Sequence, residues 1–287
     1  MSLHDSILKS FSVAAVAGLT LTASNRAHRD PGSVQGSPAS VSPLPSPGAG
    51  DGSKAKTESP AKPTAGGACA SGMVLVEGDY CPDAEQTCLR YLDPPPYQNL
   101  RCAEYAKPAK CKGSRQSKKF CLDREEYTEP GDNGSADALP VVKKNWGEAK
   151  AICEARGARL CKEAEWEFAC EGPEMNPYPY GFERKPGYCN IDRTDLGGTN
   201  DKLTDHRAPL SAFPQCTSAF GVHDMTGNVD EWVEREGASA PNRSALRGGW
   251  WLPGRNRCRA ATREHDEAYQ GKQVGFRCCA DANATTK

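Results

Sequence analysis

Residues 1–68 contain no cysteine, and residues 25–67 contain no aromatic side chain and few branched aliphatics. Such a stretch cannot bury enough apolar surface to offset its chain entropy. No C-x-x-C pair occurs anywhere, so zinc ribbons and thioredoxin-like redox sites lack their usual ligand spacing. The histidines of the later chain, His206, His223 and His265, show neither H-x-x-H nor H-E-x-x-H spacing, which leaves a three-histidine metal centre without a motif. No nucleophile-elbow motif supports Ser/His/Asp chemistry, and Gly248-Gly249 is too short for a phosphate-cradling loop. A formal net charge of −1 provides no electrostatic drive towards nucleic acid or an anionic membrane.

What the chain does have is 14 cysteines, all between Cys69 and Cys279. An even, dense set of this kind points to an oxidising compartment and up to seven disulfides. The N-terminus agrees. Lys9 precedes the apolar run Phe11–Ala23, which is short for a membrane span but suits a signal-peptide core, and Thr22-Ala23-Ser24 offers small residues for cleavage after Ser24. The expected organisation is a signal peptide over 1–24, a Pro/Ser/Gly-rich spacer over 25–68 and one folded domain over 69–287. The expected location is extracytoplasmic, periplasmic or secreted, with no transmembrane segment after signal cleavage. Oligomeric state stays open.

Order is expected to begin at SGMVLVEGDYCP (Ser71–Pro82), where Met73–Val76 reads as a strand ending in a Glu-Gly turn. A Cys-rich insertion at about 78–119 carries Cys81, Cys88, Cys102 and Cys111 and reads as loop-rich; Lys118–Thr128 reads as a further strand. Trp146, Ala149, Ile152 and Cys153 have the spacing of one buried helix face, ending near Gly157. Cys161–Gly172 repeats the pattern with Ala164, Trp166, Phe168 and Ala169. Little helix is expected beyond Gly172. Two early helices followed by a turn-rich second half predict an α+β fold with low secondary-structure content.

Six ordered stretches now bear on family: GMVLVEGDY, LPVVKKNWGEAKAICEARGARLCKEAEWEFAC, YPYG, GVHDMTGNVDEW, LRGGWW and VGFRCC. Together, over about Gly72–Ala280, they resemble the formylglycine-generating enzyme, or sulfatase-modifying factor, domain. The resemblance implies a C-type lectin-like fold, disulfide-rich in this chain. It also implies chemistry in which two cysteines a few residues apart bind Cu(I), activate oxygen and oxidise a client cysteine, since thiolates suit a soft ion. This sequence departs from that pattern. After Gly248-Gly249 come Trp250 to Arg257 with no cysteine before Cys258, and the segment is shortened. Copper is therefore not expected, and Cys258 is weighed as a structural half-cystine against a residual thiol nucleophile. The resemblance supplies a fold from which the reaction does not follow.

The resemblance further implies disulfides Cys153–Cys278 and Cys170–Cys258. It places calcium at Asp224, Gly227, Val229 and Glu231, two carboxylates and two carbonyls that form a hard oxygen set. A second calcium position would use Asn190 and the Ile191 carbonyl with Asp201 or Asp205. Cys279 is left with Cys161 or Cys189 as a plausible partner. The groove that takes an extended client in the family maps onto Trp250, Trp251, Arg255 and Arg257, with one tryptophan expected inside and the other at the groove; aromatic and guanidinium groups suit peptides and small polar ligands. Three roles follow as expectations: an exported, calcium-stabilised domain that binds a peptide or small molecule; a metal-dependent oxidase with a rearranged site; or an envelope scaffold.

Overall fold

The computed structural model describes residues 68–282, apart from 99, 133, 134, 136, 199–201 and 211. The expected signal peptide, the spacer up to residue 67, and Asp201 lie outside the described residues.

Strand β1 (Met73–Tyr80) buries Val74 and Val76 and exposes Leu75 and Glu77, the alternation of a strand with one face on the core. Four short strands follow: β2 (Ala84–Glu85), β3 (Cys88–Tyr91), β4 (Cys102–Tyr105) and β5 (Lys110–Cys111). The insertion is more ordered than its loop-rich composition implies. β2 pairs with β5 and β3 with β4, one antiparallel ladder nested inside the other. Each ladder carries its own disulfide, Cys81–Cys111 outside and Cys88–Cys102 inside, so covalent bonds replace the core that so small a unit lacks.

Strand β6 (Gln116–Asp123) starts and stops earlier than the 118–128 expected from its apolar pattern. It ends where the Asp123 carboxylate turns to accept from the Cys278 amide at 3.0 Å and from Arg156 at 2.8 Å. Helix α1 (Trp146–Ala155) opens on a capping box: Asn145 Oδ1 accepts from the Glu148 amide while the Glu148 carboxylate accepts from the Asn145 amide, both at 2.8 Å. Gly157, at φ +72°, lies just past its end. Strand β7 (Arg159–Leu160) leads into helix α2 (Glu163–Glu171), whose residues from Glu165 to Glu171 are all buried. Beyond Glu171 no α-helix occurs among the described residues.

The second half builds β8 (Asp230–Glu234), β9 (Ser244–Arg247), β10 (Ala261–Thr262), β11 (Val274–Phe276) and β12 (Cys278–Asp281). One sheet runs β1-β6-β12-β7, antiparallel throughout; the other runs β10-β9-β8-β11, with β8 and β11 parallel. Trp166, Phe168, Phe120 and Val76 meet in one apolar cluster, and Trp146, Trp232, Leu246 and Phe276 in another. Disulfides tie the layers together. Cys153–Cys278 and Cys161–Cys279 fasten α1 and the start of α2 to β12, and Cys170–Cys258 fastens α2 to the loop between β9 and β10. Cys69–Cys121 and Cys189–Cys216 complete the set. Among the described residues no helix is long and apolar enough to cross a membrane.

Candidate functional site

The eighteen residues Leu246–Arg263 divide into two parts with different physics. Helix α2 carries Glu163, Glu167 and Glu171 at four-residue spacing, one stripe on one face. Because α2 is buried, these carboxylates need cations, and the arginines of the stretch supply them. Arg247 lies 2.8 Å from both Glu163 and Glu167. Arg259 reaches Glu167 at 3.1 Å and Glu171 at 2.6 Å, and Arg263 reaches Glu163 at 2.7 Å. The Tyr80 hydroxyl donates to Glu167 at 2.6 Å. Burial pushes the Glu171 carboxyl up to about 7 against the pull of Arg259. Three of the five arginines thus serve the helix behind them. Cys258 belongs to this part and is bonded to Cys170; all 14 cysteines of the chain are paired, and none is free.

The other part, Gly248–Arg257, opens to solvent. A cavity of about 160 Å³ lies under the loop, lined among others by Asp230, Gly249, Trp250, Arg255, Asn256 and Thr262. A larger one of about 680 Å³ shares Trp250 and Leu252 with it and continues to Tyr269, Gln273 and Lys143. Trp250 is half-buried and lines both, braced edge-on by Trp251 at 4.9 Å. Of the two tryptophans, one of which was expected inside, Trp251 is the inner one: it is fully buried against His206 and lines neither cavity. Arg257 is turned to the Tyr105 hydroxyl and also lines neither.

The loop's shape comes from close backbone packing. Gly249 sits at φ +72°, and a Cβ there would come within 2.7 Å of Asn256 Nδ2. That amide donates to the Trp250 carbonyl at 2.6 Å, while Asn256 Oδ1 accepts from Arg184 at 3.1 Å. Asp230, at the start of β8, forms the floor. It is half-buried, accepts from the Gly249 amide, and makes no ion pair among the described residues. Desolvation pushes its carboxyl up to about 7. Asp230 and Asn256 escaped the reading of the sequence. Asp230 sits inside a block dominated by its Gly-Asn turn, and nothing local tells that the loop after Gly249 closes over it.

The candidate calcium residues fall into two groups. Glu231 is buried with both oxygens engaged: Arg277 donates to them at 2.6 and 2.7 Å, and the Trp166 indole at 2.7 Å. A carboxylate already held by a guanidinium and an indole keeps little lone-pair capacity for a divalent ion, whereas Asp224 Oδ1 of the same set is buried with no hydrogen-bond partner. Asp224 and Glu126 crowd the same region. Burial, and then the Asp224 carboxylate, hold Glu126 well above the usual range, while desolvation pushes Asp224 up to about 7. At the second position, Asn190 Oδ1 is buried with no hydrogen-bond partner, and Ile191 follows it. Asp205 there is held by Arg207 at 2.7 Å. Each candidate position thus holds one orphaned buried oxygen of the kind a hard cation takes, Asp224 Oδ1 at the first and Asn190 Oδ1 at the second. The three histidines are apart in role: His223 pairs with Glu125 at 2.9 Å, which raises it, His206 packs on Trp251, and His265 stacks on Tyr269 at 3.7 Å. Among the described residues no three His, Cys, Asp or Glu side chains form a metal-binding group.

Comparison with known proteins gives this geometry its context. The profile of the sulfatase-modifying factor enzyme 1-like domain matches residues 99–282, and that of the CC domain matches residues 55–81. Inactive C-alpha-formylglycine-generating enzyme 2 of Bos taurus is 32% identical over 176 residues, covering 56% of this chain and 58% of the relative. Formylglycine-generating enzyme of Bos taurus is 29% identical over 171 residues, 51% of this chain and 45% of the relative. The chain spans about half the length of the curated relatives it matches. The solved structure of CarF, 15% identical, covers 74% of this chain and 98% of its own with a TM-score of 0.48. With its profile matched over most of the folded region, two short helices, two four-stranded sheets and seven disulfides, the chain belongs to the sulfatase-modifying factor enzyme 1-like family and has its C-type lectin-like, formylglycine-generating-enzyme fold.

Proposed function

We propose that this protein is an extracytoplasmic binding member of its family, which takes a peptide or small molecule in the groove around Trp250 and does not oxidise cysteine. The observation that carries the reading is the contrast inside Leu246–Arg263. Cys258 is consumed by Cys170, whereas the neighbouring loop leaves two adjoining cavities open, both lined by Trp250. Oxidation through Cu(I) needs thiolates, and every thiol of the chain is in a disulfide. A relative described as an inactive formylglycine-generating enzyme is consistent with binding without this reaction. Seven disulfides belong to an oxidising compartment, periplasmic or secreted.

Calcium is part of the same reading. Asn190 Oδ1 and the Ile191 carbonyl would hold the ion, which would brace the segment leading to His206 and Trp251 behind the groove. The Asn190 amide already donates to the His206 carbonyl at 2.7 Å and to Asn228 Oδ1 at 3.0 Å, so its oxygen is the one directed to a new partner. The test has two arms. Purified, disulfide-intact protein with Cu(I) and a cysteine-containing peptide should consume no oxygen, while a pool of soluble peptides should bind it and bind less well to Trp250→Ala. Peptide oxidation would overturn the reading. Calcium should raise the melting temperature of the protein and leave that of Asn190→Ala unchanged; equal effects on both would remove the ion from this position.

A further inference from the structure

Many acids inside this protein come with cations. Glu231 has Arg277; Glu163, Glu167 and Glu171 have Arg247, Arg259 and Arg263; Asp192 has Arg184 at 2.8 Å. Asp230 lacks such a partner, as the buried Glu126 and Asp224 do, and it lines the 160 Å³ cavity beside Trp250. It is half-buried and receives one backbone amide, and no cation of the described chain comes within ion-pair distance. Arg255 lines the same cavity from its exposed rim, near enough to be felt by the carboxylate but not paired with it. Trp250, half-buried, lines the same cavity and is fixed by Trp251 and by the Asn256 amide on its carbonyl.

We propose that this cavity is a recognition pocket for a primary ammonium group, which Asp230 neutralises from below and Trp250 covers with its ring. The proposal rests on the groove reading above and names what the groove selects. A desolvated carboxylate gains most from a ligand that carries a charge of opposite sign, and an aromatic wall adds a cation–π contribution. An anion would be repelled by the floor, and a hydroxyl would leave the buried charge uncompensated. The cavity is small, which suits the compact ammonium better than the broader, planar guanidinium. Arg255 at the mouth is placed to meet a carbonyl or carboxylate next to the ammonium-bearing chain. The ammonium can come from a lysine side chain of a peptide or from a free small amine.

Isothermal titration of the full, disulfide-intact chain tests this with three probes: Nα-acetyl-lysine N-methylamide, its norleucine counterpart and n-butylamine. At pH 8 the lysine probe should bind at least tenfold more tightly than the norleucine probe, and Asp230→Asn should lose that tenfold. Binding of n-butylamine as tight as the lysine probe assigns the pocket to free amines; preference for the lysine probe assigns it to peptides. Equal affinity for lysine and norleucine in the unaltered protein overturns the proposal whatever the variant does. If the peptide pool still binds in a Trp250-dependent way after that result, the groove reading stands and the ammonium assignment falls. If neither probes nor pool bind, both fall.

Discussion

Arg247, Arg259 and Arg263 on one hand and Arg255 on the other occupy the same arginine-rich stretch, yet the first three are locked against helix α2 and the last is exposed at a cavity mouth. The carboxylates show the same split: Glu167 and Glu171 are buried with guanidinium partners, and Asp230 is half-buried without one. A cluster of arginines beside two tryptophans therefore does not by itself mark a binding surface. Most of its charge holds a buried helix in place, and the binding candidates are the few groups left unmatched. Removing the anchors should damage the fold, whereas removing the unmatched groups should spare it.

The largest effect is expected from the covalent anchor. Replacing both Cys170 and Cys258 by alanine frees a closure of 88 residues and should cost about 4 to 5 kcal/mol in the chain-entropy account. Urea unfolding of the double variant measures it, and a loss under about 1 kcal/mol would show that the ion pairs of α2 hold the loop unaided. Next comes Arg277→Met. It strands the fully buried Glu231 with only the Trp166 indole, a situation that costs about 3 to 5 kcal/mol. The same unfolding assay on Glu231→Gln/Arg277→Met should recover part of that loss, because the uncompensated charge is gone.

The two adjacent tryptophans sharpen the comparison further. Trp251→Ala should cost about 3 to 5 kcal/mol, since it empties a wholly buried site. Trp250→Ala, at a half-buried position on a cavity wall, should cost clearly less, about 1 to 2 kcal/mol, while weakening peptide binding. Equal costs would mean that Trp250 is packing rather than a ligand wall.

These contrasts also explain what could be read from the chain before its structure. The helices were legible because Trp146, Ala149 and Cys153, and then Trp166 and Ala169, recur at helical spacing, and the capping box at Asn145 and Glu148 is local. The stripe Glu163, Glu167, Glu171 was equally visible, but its meaning depends on arginines some 80 residues later. The short strands of the insertion were illegible because ladders of two to four residues carry little periodicity; disulfides hold them, and pairing is a property of three dimensions. The site suffered most. Whether Trp250 or Trp251 turns outward, and whether Asp230 or Glu231 meets a cation, depends on neighbouring residues whose alternation puts one inside and the next at the cavity. Neighbours in sequence thus have opposite roles, and only the packing of β8 against β9 and β11 separates them.

At the unmatched pair the effect on stability is expected to depend on pH, and there its sign matters more than its size. Asp230 has its carboxyl raised from an ordinary 3.8 to about 7, so between those values the folded state holds a proton that the unfolded chain has released. Stability from this group must then fall as pH rises from about 4 to about 7, the reverse of a salt-bridged carboxylate. Asp230→Asn removes the titration. Its melting temperature should match the unaltered protein near pH 4 once any constant offset is subtracted, and should exceed it increasingly towards pH 8. Arg255→Ala should leave the melting temperature unchanged near pH 4, where Asp230 is largely neutral, and lower it slightly at pH 8, where it removes a distant counter-charge. A difference curve for Asp230→Asn that is flat from pH 4 to pH 8 would place Asp230 among the satisfied acids, and the division between anchoring and binding groups in this stretch would lose its clearest member.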